Sequence, residues 1–262
     1  MPLFAIIWPW IGLGAALALL IVLLTTDGLQ ANRAIPRWHD LPWLIWLGFT
    51  AYLLHQFEEH GVDLLGQPYA FRADMCRTLG YGDAISCPVP LSFVTAVNVG
   101  SVWIAGLLSV LTARRWPAIG LSFVAVPLVN AGVHMGAALV EGRYNPGLFT
   151  AVLLFVPLSL WTLAVAIQRA GVPKRALAFV VGGGVAVHVI LMGSLQAFLH
   201  GFIGLWLLNA VQVLNAFVPA GLMAVGIRPK AAAPPERPSA RPPSSGERKP
   251  RAPRAKPKQK AV

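Results

Sequence analysis

The sequence predicts an all-α protein: a polytopic transmembrane helix bundle of about seven spans, N-terminus outside and C-terminus cytoplasmic. Three observations lead there. The 262 residues are 56% hydrophobic and only 12% charged, where soluble domains carry about 25% charged residues. Mean hydropathy is +0.64. The apolar residues fall in runs long enough, at ~1.5 Å per helical residue, to cross about 30 Å of hydrocarbon.

The runs lie at 4–24, 42–62, 91–111, 117–139, 147–167, 176–198 and 202–226. No basic segment or convincing cleavage site accompanies the first, so it is expected to be a retained span and not a signal peptide. Asp40 and Pro42 read as the cap and first turn of the second, and Pro146 as the same device for the fifth. Gly132 and Gly136 in the fourth are expected to let it approach the second closely. Gly182, Gly183 and Gly184 in the sixth have no phosphate-loop context and read as helix packing. The sixth and seventh runs are joined by the near-apolar GSLQAFLHGF, which leaves their boundary open. The nine tryptophans are expected at the interface or facing lipid.

Orientation follows from basic residues near the span ends. Arg33 and Arg37, Arg114 and Arg115, and Arg169, Lys174 and Arg175 fall on one side of a seven-span chain, together with the eleven Lys and Arg of residues 228–262. That side is read as cytoplasmic, in a multi-pass protein of the cell membrane, plasma or inner. The chain divides into a helical domain, 1–227, and a Pro/Ala/Lys/Arg-rich tail, 228–262, expected to be disordered and able to contact anionic lipid headgroups. Most of the net charge of +11 sits in this tail, so the basic balance does not describe a nucleic-acid-binding fold. Cys76 and Cys87 share one polar loop on the opposite side, where they are expected to form a disulfide.

HQFEEH, residues 55–60, ends the second run with four ionisable groups. A charge near the bilayer centre costs roughly 2.5–3.5 kcal/mol, and adjacent carboxylates add repulsion unless a proton or cation intervenes. His55, Glu58 and Glu59 are at i, i+3 and i+4 and can look into one space. His60, at i+5, points roughly 140° away from His55 and ranks lower. Asn130 and His134 form a second i, i+4 pair. Asn98, His188 and Glu141 complete a polar set that gathers toward one leaflet on different spans. The spacing fits neither HExxH nor HxxEH zinc motifs.

HQFEE in a hydrophobic span resembles the HXXEE family of integral membrane proteins, whose function is uncharacterised. NVG at Asn98, NAGVHM around Asn130 and His134, and EGRYNPGLFTAVLLFVPLSL from Glu141 extend the resemblance over about 43–195. It implies His55, Glu58, Glu59 and His134 as anchors, with Asn98, Asn130 and Pro146 behind them.

Three functional classes follow from these residues. One is a metal-dependent or acid–base enzyme acting on a lipid-like substrate at the outer side. Its catalytic set is His55, Glu58, Glu59 and His134, with zinc or iron on His55, Glu59 and His134 and Glu58 as general base or support. The second is a proton- or metal-coupled transporter or ion-binding protein; the few polar residues in the other half of the spans and the lack of an internal repeat argue against it. The third is a structural or assembly protein whose polar residues join helices, the simpler account of Asn98, Asn209 and Gln212 taken alone but a poor one for paired carboxylates.

Overall fold

The structure is a computed structural model, and it describes residues 3–82 and 86–227. The expected tail, 228–262, lies outside the described residues. The described residues form helices joined by loops, with no strand among them beyond a single bridge between Val62 and Pro68. Helices occupy all seven apolar runs: α1 (Phe4–Thr25), α2 (Leu41–His60), α4 (Leu91–Thr112), α5 (Pro117–Glu141), α6 (Leu148–Gln168), α7 (Ala176–Leu199) and the pair α8 (Leu205–Asn215) and α9 (Val218–Gly226). A short α3 (Ala70–Thr78) lies in the polar connection after α2.

Five of these helices are long and apolar enough to cross a membrane, and α8 with α9, bent by 41°, makes six. The boundary left open between the sixth and seventh runs falls at 200–204, between α7 and α8, and the seventh run itself breaks before Pro219, in the first turn of α9, where its missing N–H costs nothing. α2 has the length, but its HQFEEH end is too polar to count among them.

Local chemistry sets the helix ends. Asp40 caps α2 as expected: its carboxylate accepts from Trp43 N at 3.0 Å, and from Ala31 N and Asn32 N in the preceding turn. The start of α6 differs. Pro146 precedes a left-handed Gly147, φ +97°, and the helix begins only at Leu148. Two helices widen into π turns, over Ala96–Trp103 in α4 and Ala151–Phe155 in α6, a distortion common at functional sites. In α4 the Asn98 side chain donates to Val94 O at 2.9 Å and so competes with the backbone ladder. In α6, Pro157 removes an N–H just after the wide turn.

Packing corrects the reading of the small residues. Gly132 and Gly136 have nothing near them, so they do not draw α5 to α2. The close approach is made by Gly184 of α7, where a methyl would overlap the Ala125 carbonyl of α5. Gly183 packs against Pro219, while Gly182 faces open space. Three tryptophans also depart from expectation. Trp43 is buried beneath α1, its Nε1 donating to Leu23 O at 3.3 Å, and Trp8 and Trp103 meet inside the bundle, 6.2 Å apart.

Candidate functional site

The site forms where the C-terminal end of α2 meets α5 and the start of α6. His55, Glu59 and His134 are all buried, and one ligand atom from each lies within 4.8 Å of the others. Glu59 Oε1 is the common point, 3.1 Å from His134 Nε2 and 3.4 Å from His55 Nε2. Glu59 Oε2 lies 3.5 Å from His60 Nε2. All three histidines of this end therefore turn the same ring nitrogen toward one carboxylate.

The hydrogen bonds behind the rings fix their tautomers. Asn145 Nδ2 donates to His134 O at 3.0 Å, so its Oδ1 must be the atom facing His134 Nδ1, 2.6 Å away. An amide oxygen only accepts; hence Nδ1 carries the hydrogen. Thr150 Oγ1 is 2.5 Å from Glu58 Oε2 and 2.8 Å from His55 Nδ1. The single hydroxyl hydrogen goes to the carboxylate, so His55 Nδ1 donates to the hydroxyl. Each neutral ring then presents a bare Nε2 lone pair to Glu59. His55 Nε2 is buried and makes no hydrogen bond, a state that costs about 1–3 kcal/mol unless a proton or cation joins the group.

His60 is oriented by a separate chain. Trp103 Nε1 donates to Gln56 Oε1 at 2.7 Å, Gln56 Nε2 to Asn98 Oδ1 at 2.9 Å, and Asn98 Nδ2 to His60 Nε2 at 3.1 Å. An indole only donates, so every amide in the chain has one possible orientation. Trp8 packs on the His60 ring at 5.1 Å and Phe71 at 4.9 Å.

Of the two roles expected of Glu58, general base or support, its surroundings match the second. It accepts from Tyr144 OH at 2.8 Å, Phe149 N at 3.1 Å, Thr150 N at 2.8 Å and Thr150 Oγ1. The carboxylate thus caps the start of α6, where free N–H groups and the helix dipole favour an anion. It touches His55 only through Thr150. Burial and the bond to Glu58 push the Tyr144 phenol above its ordinary pKa, so this donor keeps its proton.

Gly147 closes the site. A Cβ there would stand 2.8 Å from both His134 Cε1 and His55 Cε1 and 2.9 Å from Glu59 Cγ. Glu141 lies apart, paired with Arg143 and accepting from Thr78 Oγ1 at 3.0 Å. Arg143 also reaches Asp74 of α3 at 2.5 Å, which ties the connection after α2 to the α5–α6 turn. Within that connection Cys76 and Cys87 form a disulfide, Cα–Cα 5.7 Å.

A cavity of about 280 Å³ opens from Glu59, His60 and His134. Its walls are mostly apolar, among them Phe93, Val97, Val126, Val133, Leu191 and Met192, and α3 covers it with Phe71, Asp74 and Met75. Asn98, Asn130 and His188 line it, while Glu58 and Glu141 do not. Sequence reasoning missed Gln56, Trp103, Tyr144, Asn145, Gly147 and Thr150. Of these, the YNPG string held the one usable signal: a Pro-Gly turn placed directly before a helix.

Fold and site together define an all-helical protein with several membrane-length helices and a buried His/Glu cluster of metal-ligand type. Residues 46–162 match the family model described as "protein of unknown function with HXXEE motif", and the chain carries the HXXEE domain. The match holds His55, Glu58, Glu59 and His134 and ends short of α7. No curated protein and no solved structure matches the chain.

Proposed function

We propose that the chain is a polytopic membrane enzyme, with zinc or iron held by His55, Glu59 and His134 and an elongated, lipid-like substrate in the adjoining cavity. The observation that supports it best is the pair of Nε2 lone pairs facing Glu59 Oε1, with each ring's other nitrogen donating to a fixed oxygen. Metal-bound histidines are held in this way, by a hydrogen bond at the far nitrogen. Two nitrogens and one carboxylate oxygen suit zinc or iron and leave positions for water and substrate. Bound there, the ion would polarise a substrate oxygen or acidify a water.

The chain's own residues have distinct tasks in this reading. Thr150 and Asn145 orient the ligand rings. Glu58 anchors Thr150 and the start of α6. His60, not committed to the metal, stands at the cavity wall beside Glu59 Oε2 and can exchange a proton with bound substrate. The apolar walls suit a hydrocarbon chain and keep water out. α2 completes a seven-span topology in which the basic connections are cytoplasmic, the site lies toward the outer side, and the cysteine loop faces an oxidising compartment.

Metal content by mass spectrometry of detergent-purified protein tests this, beside the double variant H55A/E59A. Stoichiometric zinc or iron, lost in the variant, is expected. A folded, chelator-free preparation without metal would leave Glu59 and the three histidines around it to proton chemistry, as in a proton-coupled transporter, or to helix joining.

A further inference from the structure

A second polar cluster lines the same cavity, and unlike the first it holds no carboxylate. Asn130 of α5 and Gln212 and Asn215 of α8 each have a buried side-chain oxygen with no hydrogen-bond partner, and all three residues line the cavity. Buried polar atoms are nearly always paired, so three unpaired acceptors around one space are not explained by packing.

For Gln212 and Asn215 the oxygens cannot be exchanged for the amide nitrogens. Gln212 Nε2 donates to Ser194 Oγ at 2.8 Å and to Leu208 O at 3.2 Å. Ser194 Oγ gives its own hydrogen to Leu191 O at 3.0 Å, so it can only accept from Gln212. Asn215 Nδ2 donates to Val187 O at 2.9 Å. Turning either amide over would set oxygen against oxygen. His188 lines the cavity too, and its Nδ1 donates to Gly184 O at 2.8 Å. Its Nε2 is then a fourth acceptor in the neutral ring. Asn130 stands one turn along α5 from His134, about 6 Å by helix rise, so this cluster is close enough to hold a ligand whose other part reaches Glu59.

We propose that this cluster binds the hydroxyl head of a long-chain polyol, an apolar chain bearing two or more O–H donors. The inference deepens the substrate reading above and rests on it for the cavity's occupant. Gln212, Asn215 and His188 present fixed acceptors, and such a set selects donors. Among donors, hydroxyls fit better than an ammonium, because no carboxylate belongs to this cluster: the acids lining the cavity are Glu59, engaged by histidines, and Asp74, paired with Arg77 and Arg143. A buried ammonium among neutral oxygens would bear a much larger desolvation cost. The apolar walls take the chain.

The test uses the full chain in an amine-oxide detergent, which brings no hydroxyls of its own. Equilibrium binding is measured for 1,2-dodecanediol, its dimethoxy ether and dodecylamine. The diol is expected to bind about tenfold or more tighter than the ether. Asn215→Leu and Gln212→Met should each weaken the diol about tenfold and leave the ether unchanged. Asn209→Leu is the control and should change nothing, since Asn209 Oδ1 also lacks a partner but lies outside the cavity. Glu59→Gln should abolish metal binding and keep the diol, so failure of the metal reading and failure of this one are separable. Equal binding of diol and ether means that these acceptors hold only water and overturns the proposal. Tighter binding of dodecylamine replaces the hydroxyl head by an ammonium and overturns it as well. If the α8 variants do not fold, the ligand series on the unaltered chain decides.

Discussion

His134 Nε2 lies 3.1 Å from Glu59 Oε1, and with His134 Nδ1 donating to Asn145 both facing atoms are acceptors. A cation at this point relieves that opposition and links α2 to α5. Metal removal should therefore destabilise the protein. A ligand at 100 to 1,000 times its dissociation constant stabilises by about 3–4 kcal/mol. Adding a strong chelator to the metal-loaded protein is expected to lower its thermal midpoint by several degrees, while the H55A/E59A variant should show no such shift. An equal shift in both would place the chelator's effect elsewhere.

Gly147→Ala tests how closely the backbone meets the cluster. The residue has φ +97°, which an L side chain adopts at a cost of about 1–2 kcal/mol, and the new methyl would press on His134, His55 and Glu59. The expected result is at least a tenfold loss of metal affinity with a lower midpoint. Gly142→Ala shares the left-handed backbone, φ +65°, but has open space around it. It should lower the midpoint and leave metal affinity unchanged.

Thr150 is the link between two residues of HQFEEH that do not touch, His55 and Glu58. Thr150→Val keeps the shape and removes the hydroxyl, leaving His55 Nδ1 and one Glu58 oxygen short of a partner, a loss of about 1–3 kcal/mol. Metal affinity should fall and ligand-site geometry should loosen, visible as a changed spectrum when cobalt is substituted. Thr150→Ser should restore both. If Val and Ser behave alike, the hydroxyl has no part in orienting His55.

How much of this was legible in the sequence depends on the distance over which each feature is decided. Helix positions were legible because they rest on local apolar runs and caps such as Asp40. His55 and Glu59 were legible because their i, i+4 spacing puts them on one face, and His134 because a buried histidine beside Asn130 stands out in an apolar helix. The partners of Glu58 were not, because Tyr144, Phe149 and Thr150 lie about 90 residues away, in the α5–α6 turn and the first turn of α6. His60 was ranked low from its angle to His55, yet Glu59 has a second oxygen, and the ring reaches that one. Trp43 and Trp103 were misjudged because each indole N–H has an acceptor inside the bundle, and Trp8 because its ring packs on His60 and Trp103, contacts that composition does not reveal.

Trp103 is the origin of the chain that ends at His60, so Trp103→Phe removes the donor that orients Gln56. Gln56 can then turn over, Asn98 can follow, and His60 loses its defined acceptor role. Metal content should stay at the unaltered level, because His60 is outside the ligand set, while turnover of any substrate found for the cavity should drop about tenfold or more. A variant that loses metal would show instead that Trp103 supports the whole end of α2.

The Cys76–Cys87 disulfide closes a loop of 11 residues, for which chain entropy gives about 2–3 kcal/mol. Its effect should be local. Arg72 donates to Val89 O and Cys87 O, both at 2.9 Å, so the bridge and Arg72 together hold α3 against the start of α4 and over the cavity. Replacing both cysteines by serine is expected to speed tryptic cleavage at Arg77, on the half-exposed face of α3, several-fold. The helical content should be unchanged, because the apolar bundle does not depend on that loop. Metal should stay bound, since no ligand lies in α3, but the apolar chain of a cavity ligand should dissociate faster once Phe71 and Met75 are free to move. Unchanged proteolysis and unchanged ligand dissociation in the double serine variant would show that the ion pairs of Asp74 and Arg143 hold the cover alone.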